Sequence, residues 1–160
     1  MKSNQQVKRA DLEALRIGHE DAGQRLSDVT AGVLWIVVPY TTPELTRAAL
    51  RHAGVCSDLD LQVCLVDVQV VPFPAPITQP PVNRKFSEVR LQDLLKESGL
   101  PGKAAVIHTR EWLEGFTKVL VSDSLVIIAT RKRWWQTREE KLARTLTKAG
   151  HHVMLLPVVR

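Results

Sequence analysis

Arg131-Lys132-Arg133-Trp134-Trp135 is the run whose residue types and spacing most suggest chemistry. Consecutive cations can meet an anion through their side chains, and an indole can stack on a base or another flat group. Thr130 precedes the run. Thr137 follows it, with Glu140 three positions on, which is the S/T-x-x-E spacing of a helix capping box. The run therefore joins an apolar strand, Leu125 to Ala129, to the first turn of a helix. In an open parallel sheet, ligands lie outside the carboxyl ends of the strands, so this crossing is the expected binding place. The plainer reading packs one tryptophan on the sheet edge and leaves the arginines solvated. A single short basic loop with no broader basic stripe argues against nucleic acid as the partner.

The remaining reactive side chains form no constellation. His108 ends an apolar run and reads as a hydrogen-bonded loop histidine rather than a proton-transfer group. His151-His152 lies at a turn and lacks further metal ligands. Ser122-Asp123-Ser124 has no nucleophile elbow and no ordered triad, so it reads as a turn. Asp67, in an apolar run, faces the cleft or closes a strand end. Cys56 and Cys64 read as reduced small hydrophobes and suggest neither zinc nor a disulfide framework.

Periodicity supplies the elements that must position these groups. Val33 to Val38 is a continuous apolar run rich in β-branched residues, suited to a strand buried on both faces. Thr42 and Pro43 give an N-cap and a first helical residue for a helix to about Ala53, which Gly54 stops. Leu61 to Val68 is a second strand. Prolines 72, 74, 76, 80 and 81 then exclude helix and ladder pairing, leaving an extended loop that serves as a crossover or as a partner's ligand. Phe86, Val89, Leu91, Leu94 and Leu95 give the next helix its apolar stripe, with Ser87, Arg90 and Lys96 facing out. Ala104 to His108 is a third strand and Glu111 to Leu120 a short amphipathic helix. Leu125 to Ala129, Thr137 to Ala149 and Val153 to Val159 complete the series. Strands and helices that alternate in this way predict an α/β fold, an open five-stranded parallel sheet with helices on both faces. Pro157 places the last strand at an edge.

The bulk numbers fit that reading. The 160 residues suit one such domain, residues 32–160, preceded by a polar extension, 1–31, with a short helical stripe from Ala10 to Ile17. Net charge is +5, and residues 1–30 balance five cations against five acids, so the excess lies in the domain. No apolar run approaches a membrane span, and the N-terminus has no secretory h-region, which predicts a cytoplasmic protein.

In order and spacing the chain resembles the universal stress protein family over about Gly32 to Val159. Val37-Val38-Pro39 with Thr42-Pro43-Glu44 is similar to the family's opening strand and first helix. Leu61 to Val68 resembles its second strand. Leu125 to Arg131 resembles its apolar strand ending in Gly-Ser-Arg, and Leu142 to Val159 its closing helix and strand. The resemblance implies an adenine-nucleotide-hydrolase-like, Rossmann-type fold and a stress-response role without enzymatic activity beyond slow nucleotide hydrolysis. It also implies a homodimer formed through the closing strand. ATP or another adenine nucleotide is the ligand it implies. The corresponding positions are Pro39, Tyr40, Thr41, Asp67, Thr130, Arg131, Lys132, Arg133, Trp134 and Thr137.

The sequence departs from the ATP-binding members. Tyr40 stands where they carry an aspartate, no glycine lies between Ala129 and Trp135, and Glu139-Glu140 replaces a small G-[S/T] pair. Glycines let backbone amides approach phosphate, whereas two carboxylates repel it. The main expectation is a sensor or regulatory module with a degenerate nucleotide site. One alternative is a true nucleotide binder using Arg131, Lys132, Arg133 and Trp134 or Trp135. Another is a partner-binding domain of the kind associated with membrane transporters, working through residues 1–30 or the proline loop.

Overall fold

A computed structural model of the chain describes residues 34–55, 60–121 and 123–159. The expected extension over 1–31, Cys56 and Ser122 lie outside the described residues. Within them the order is β1 (Leu34–Pro39), α1 (Pro43–Val55), β2 (Leu61–Val70), α2 (Arg84–Ser98), β3 (Gly102–Thr109), α3 (Trp112–Val119), β4 (Leu125–Arg131), α4 (Arg138–Lys148) and β5 (His152–Val158). The strands form one parallel sheet in the order β3-β2-β1-β4-β5. The chain winds outward from β1 to β3, then crosses back to β4 beside β1. That reversal is the topological switch point, and it leaves a crevice at the carboxyl ends of β1 and β4.

Period-two alternation divides the sheet's apolar residues between two cores. On one face Ile36, Val38, Leu65 and Ile127 meet Leu45 and Leu50 of α1 and Leu91 and Leu95 of α2. On the other, Val66, Val126 and Ile128 meet Phe116 of α3 and Leu142 and Leu146 of α4. Cys64 belongs to this second core, and burial pushes its thiol up to about 12 against a smaller opposing pull from Lys103. It is an unreactive core residue, as its surroundings in the sequence suggested.

The helix ends largely follow their sequence signals, although α1 runs through Gly54, the expected stop, to Val55. The Leu45 amide donates to the Thr42 hydroxyl at 3.3 Å. Asn83 caps α2 by accepting from the Lys85 amide at 2.9 Å. Gly99 closes the same helix with a positive φ of 71°, where a side chain would be strained. β5 pairs only with β4, so Pro157 does lie in an edge strand.

Three expectations need correction. The buried stripe of α2 is Ser87, Leu91, Leu94 and Leu95, whereas Phe86 and Val89 are 64% and 53% exposed. The helix is turned so that Ser87 meets a polar side chain of the sheet, described below. The proline segment is not simply extended. Residues 71–83 fold into turns, with the Ala75 amide donating to the Pro72 carbonyl at 3.1 Å and the Gln79 amide to that of Pro76 at 3.0 Å. Lastly, neither tryptophan of the basic loop is buried at the sheet edge. Trp134 is 91% and Trp135 50% exposed.

Candidate functional site

The residues singled out in the sequence gather at the carboxyl ends of β1, β2 and β4, but as two separate groups on opposite faces of the sheet. The first lies toward α4. Thr130, the penultimate residue of β4, and Thr137, the N-cap of α4, share a buried hydroxyl–hydroxyl bond of 2.8 Å. The Thr137 hydroxyl also accepts from the Glu140 amide at 3.2 Å, while the Glu140 carboxylate accepts from the Thr137 amide at 3.2 Å. The capping box read in the sequence is therefore formed in full. Glu139 and Glu140 place carboxylates in the first turn, where they complement the helix dipole themselves.

This arrangement bears directly on whether a triphosphate fits. A phosphate at a helix N-terminus needs free amides and a positive local field. Here the chain's own hydroxyl and carboxylate occupy two of those amides, and two acidic residues offset the positive end of the helix dipole. The residues present do not fit ATP held in the manner of a glycine-rich loop.

The basic run is partly engaged elsewhere. Arg131 forms an ion pair with Glu44 in the first turn of α1, so it clamps β4 to α1. Arg138 stacks on the Trp112 ring at 3.7 Å. Arg133 lies over the Trp135 ring at 5.4 Å, and Trp135 meets Trp134 edge-on with centroids 5.0 Å apart. Lys132 and Arg133 are exposed.

The second group lies under α2. Asp67 is buried within β2. Its carboxylate accepts from the Gln69 amide nitrogen at 2.8 Å and stands 3.6 Å from the Arg90 guanidinium. The same Gln69 nitrogen donates to the Ser87 hydroxyl at 2.9 Å, which explains the rotation of α2. Burial raises the Asp67 carboxyl above its ordinary range, opposed by the Gln69 bond and by the charges of Arg90 and Arg138. Arg90 also covers the Tyr40 ring at 5.0 Å, so Tyr40 and Asp67 are joined through one guanidinium. Tyr40 itself is half-buried, and its amide donates to the Val66 carbonyl at 2.7 Å. Pro39 is buried at the end of β1, and the Thr41 amide donates to the Thr46 hydroxyl at 3.4 Å.

His108 completes this group. It is a strand residue, aligned with Gln69 in the register and buried, rather than a loop residue. Arg84 donates to its Nδ1 at 3.0 Å. A guanidinium has no acceptor, so the neutral ring must carry its proton on Nε2. Burial and the Arg84 charge both hold the imidazole below its ordinary value. The unfolded chain takes up the proton first, so this contribution to stability is complete above the ordinary value of 6.5 and is lost as pH falls below it. Between about pH 7 and pH 5 the wild type is expected to lose more melting temperature than His108→Gln, whose amide oxygen still accepts from Arg84. Equal pH slopes in the two thermal melts would contradict this.

Arg84 and Gln69 were not singled out in the sequence, and Ser87 and Arg90 were read only as outward-facing. A signal for them existed. Asp67 and Gln69 are two apart in a largely apolar strand, and Arg84, Ser87 and Arg90 are spaced by three on the helix that follows.

Fold and site together define a five-stranded, doubly wound α/β domain with polar groups around its switch point. No family model matches the chain, and no curated protein matches it. Among solved structures it is similar to the universal stress protein from Archaeoglobus fulgidus, with a TM-score of 0.54 at 14% identity over 76% of this chain and 92% of that one. The chain therefore has a universal-stress-protein-like fold. Among the described residues no helix is long and apolar enough to cross a membrane.

Proposed function

We propose that this chain is a universal-stress-protein-like regulatory module that catalyses no reaction, works as a homodimer, and carries a nucleotide site closed by its own side chains. The observation that carries this reading is the complete capping box of Thr137 and Glu140, bonded in turn to Thr130. Where the ATP-binding relatives are expected to present backbone amides, this chain presents filled ones and acidic side chains. The decisive test is titration with ATP.

β5 supports the dimer. It is an edge strand rich in apolar residues, with Met154 41% and Leu155 38% exposed, and an uncovered apolar edge is a ready pairing surface. Sedimentation velocity is expected to give a dimer for the wild type and a monomer for Leu155→Lys. A monomeric wild type at micromolar concentration would remove the dimer from this account.

A further inference from the structure

Among the described residues, the four exposed aromatics are Phe73, Phe86, Trp134 and Trp135. All four lie at the carboxyl end of the sheet. Phe73 belongs to the connection that leaves β2, Phe86 to the first turn of α2, and the tryptophans to the connection that leaves β4. In the sheet only β1 separates β2 from β4, so the two connections emerge about 10 Å apart, two strand spacings. Exposed Ile77 and Val82 add aliphatic surface to the first of them. Such a concentration of large apolar side chains at one end is not the scattered exposure of an ordinary surface.

Neither connection carries an acid, and cations lie on the second connection and at the start of α2. Residues 71–83 and 132–136 contain no Asp or Glu. Lys132 and Arg133 are exposed on the second connection, and Lys85 is exposed beside Phe86. Arg110 covers the Phe73 ring at 4.0 Å while donating to the Val71 and Ala75 carbonyls at 2.9 and 2.8 Å. Phe73 is thus held outward by a fixed turn, and its apolar tip is prepared before any partner arrives.

From this geometry we infer that the carboxyl-end rim of the sheet docks on the surface of an anionic lipid bilayer. Trp and Phe lodge at the boundary between headgroups and acyl chains, and adjacent Lys and Arg meet anionic headgroups. Single-stranded nucleic acid fits the same rim less well. Base stacking needs open ring faces. Here Arg110 covers Phe73, Arg133 covers Trp135, and the indoles meet edge-on at 73°. Proline, Ile77 and Val82 likewise suit hydrocarbon better than bases. Docking is peripheral and independent of the closed nucleotide site.

The test is co-sedimentation of the full chain with phosphatidylcholine vesicles containing about a quarter phosphatidylserine, alongside pure phosphatidylcholine vesicles. The expected result is binding to the anionic vesicles only, with a blue shift of tryptophan emission and release by salt. Trp134→Ala/Trp135→Ala and, separately, Lys132→Glu/Arg133→Glu are expected to reduce the bound fraction at least about tenfold. These side chains are exposed, so circular dichroism of both variants should match the wild type. Absence of vesicle binding, or binding that both double variants retain, would overturn the inference. So would a single-stranded oligonucleotide that binds while vesicles do not.

Discussion

Gly102→Ala is expected to lower the unfolding free energy by about 3 kcal/mol, the upper part of the range for overpacking. Gly102 opens β3 directly beside β2. A Cβ there would stand 2.1 Å from the Val63 carbonyl oxygen and 3.0 Å from its nitrogen. Those atoms are backbone, so no rotamer change relieves the contact, and β2 and β3 must separate locally. The site feels the same displacement. The register that begins at Val63 and Gly102 ends by placing His108 beside Gln69 and Val106 beside Asp67. Urea denaturation checks the stability, and the chemical shift of the His108 ring reports the site. An unchanged midpoint would mean that the strands can part here without cost.

Phe116→Ala is expected to cost about 3–5 kcal/mol, with a fall in melting temperature of roughly 10 °C or more. Phe116 is fully buried and is the largest of the fully buried side chains described. It packs between the sheet and the buried faces of α3 and α4, and meets Trp112 edge-on with centroids 5.1 Å apart. Trp112 in turn carries Arg138, the first residue of α4. The cavity would therefore lie beneath the helix whose N-terminus defines the candidate site. A loss below about 1 kcal/mol would show that α3 collapses onto the sheet and that Phe116 is not the wedge described.

The fold was legible because its signals are local. Continuous β-branched runs such as Val37-Val38 and Val126-Ile127-Ile128 announce strands buried on both faces. Thr42-Pro43, Gly99 and the Thr137–Glu140 spacing mark helix ends through the backbone groups they satisfy or the φ they permit. Pro157 announced an edge because only an edge tolerates its missing donor. The capping half of the candidate site was legible for the same reason.

The half under α2 was not, because it depends on strand order. Asp67, Gln69 and His108 become neighbours only when β3 pairs with β2, and Ser87 turns inward only because Gln69 offers it a partner. Hydrophobicity alone placed Phe86 and Val89 in the stripe, whereas the helix turns Ser87 toward its part-buried bond with Gln69. The exposure of the tryptophan loop was not legible either, because no periodic pattern fixes which way a loop side chain turns.

We propose that Thr137 and Glu140 close the N-terminus of α4, so that this universal-stress-protein-like domain takes no ATP there. Calorimetric titration of the purified chain with ATP, with AMP and a cyclic dinucleotide alongside, tests it most directly. No binding heat from ATP is expected in the micromolar range. Micromolar ATP binding that disappears in Arg131→Ala/Arg133→Ala would contradict it and would put a nucleotide on the basic tryptophan loop.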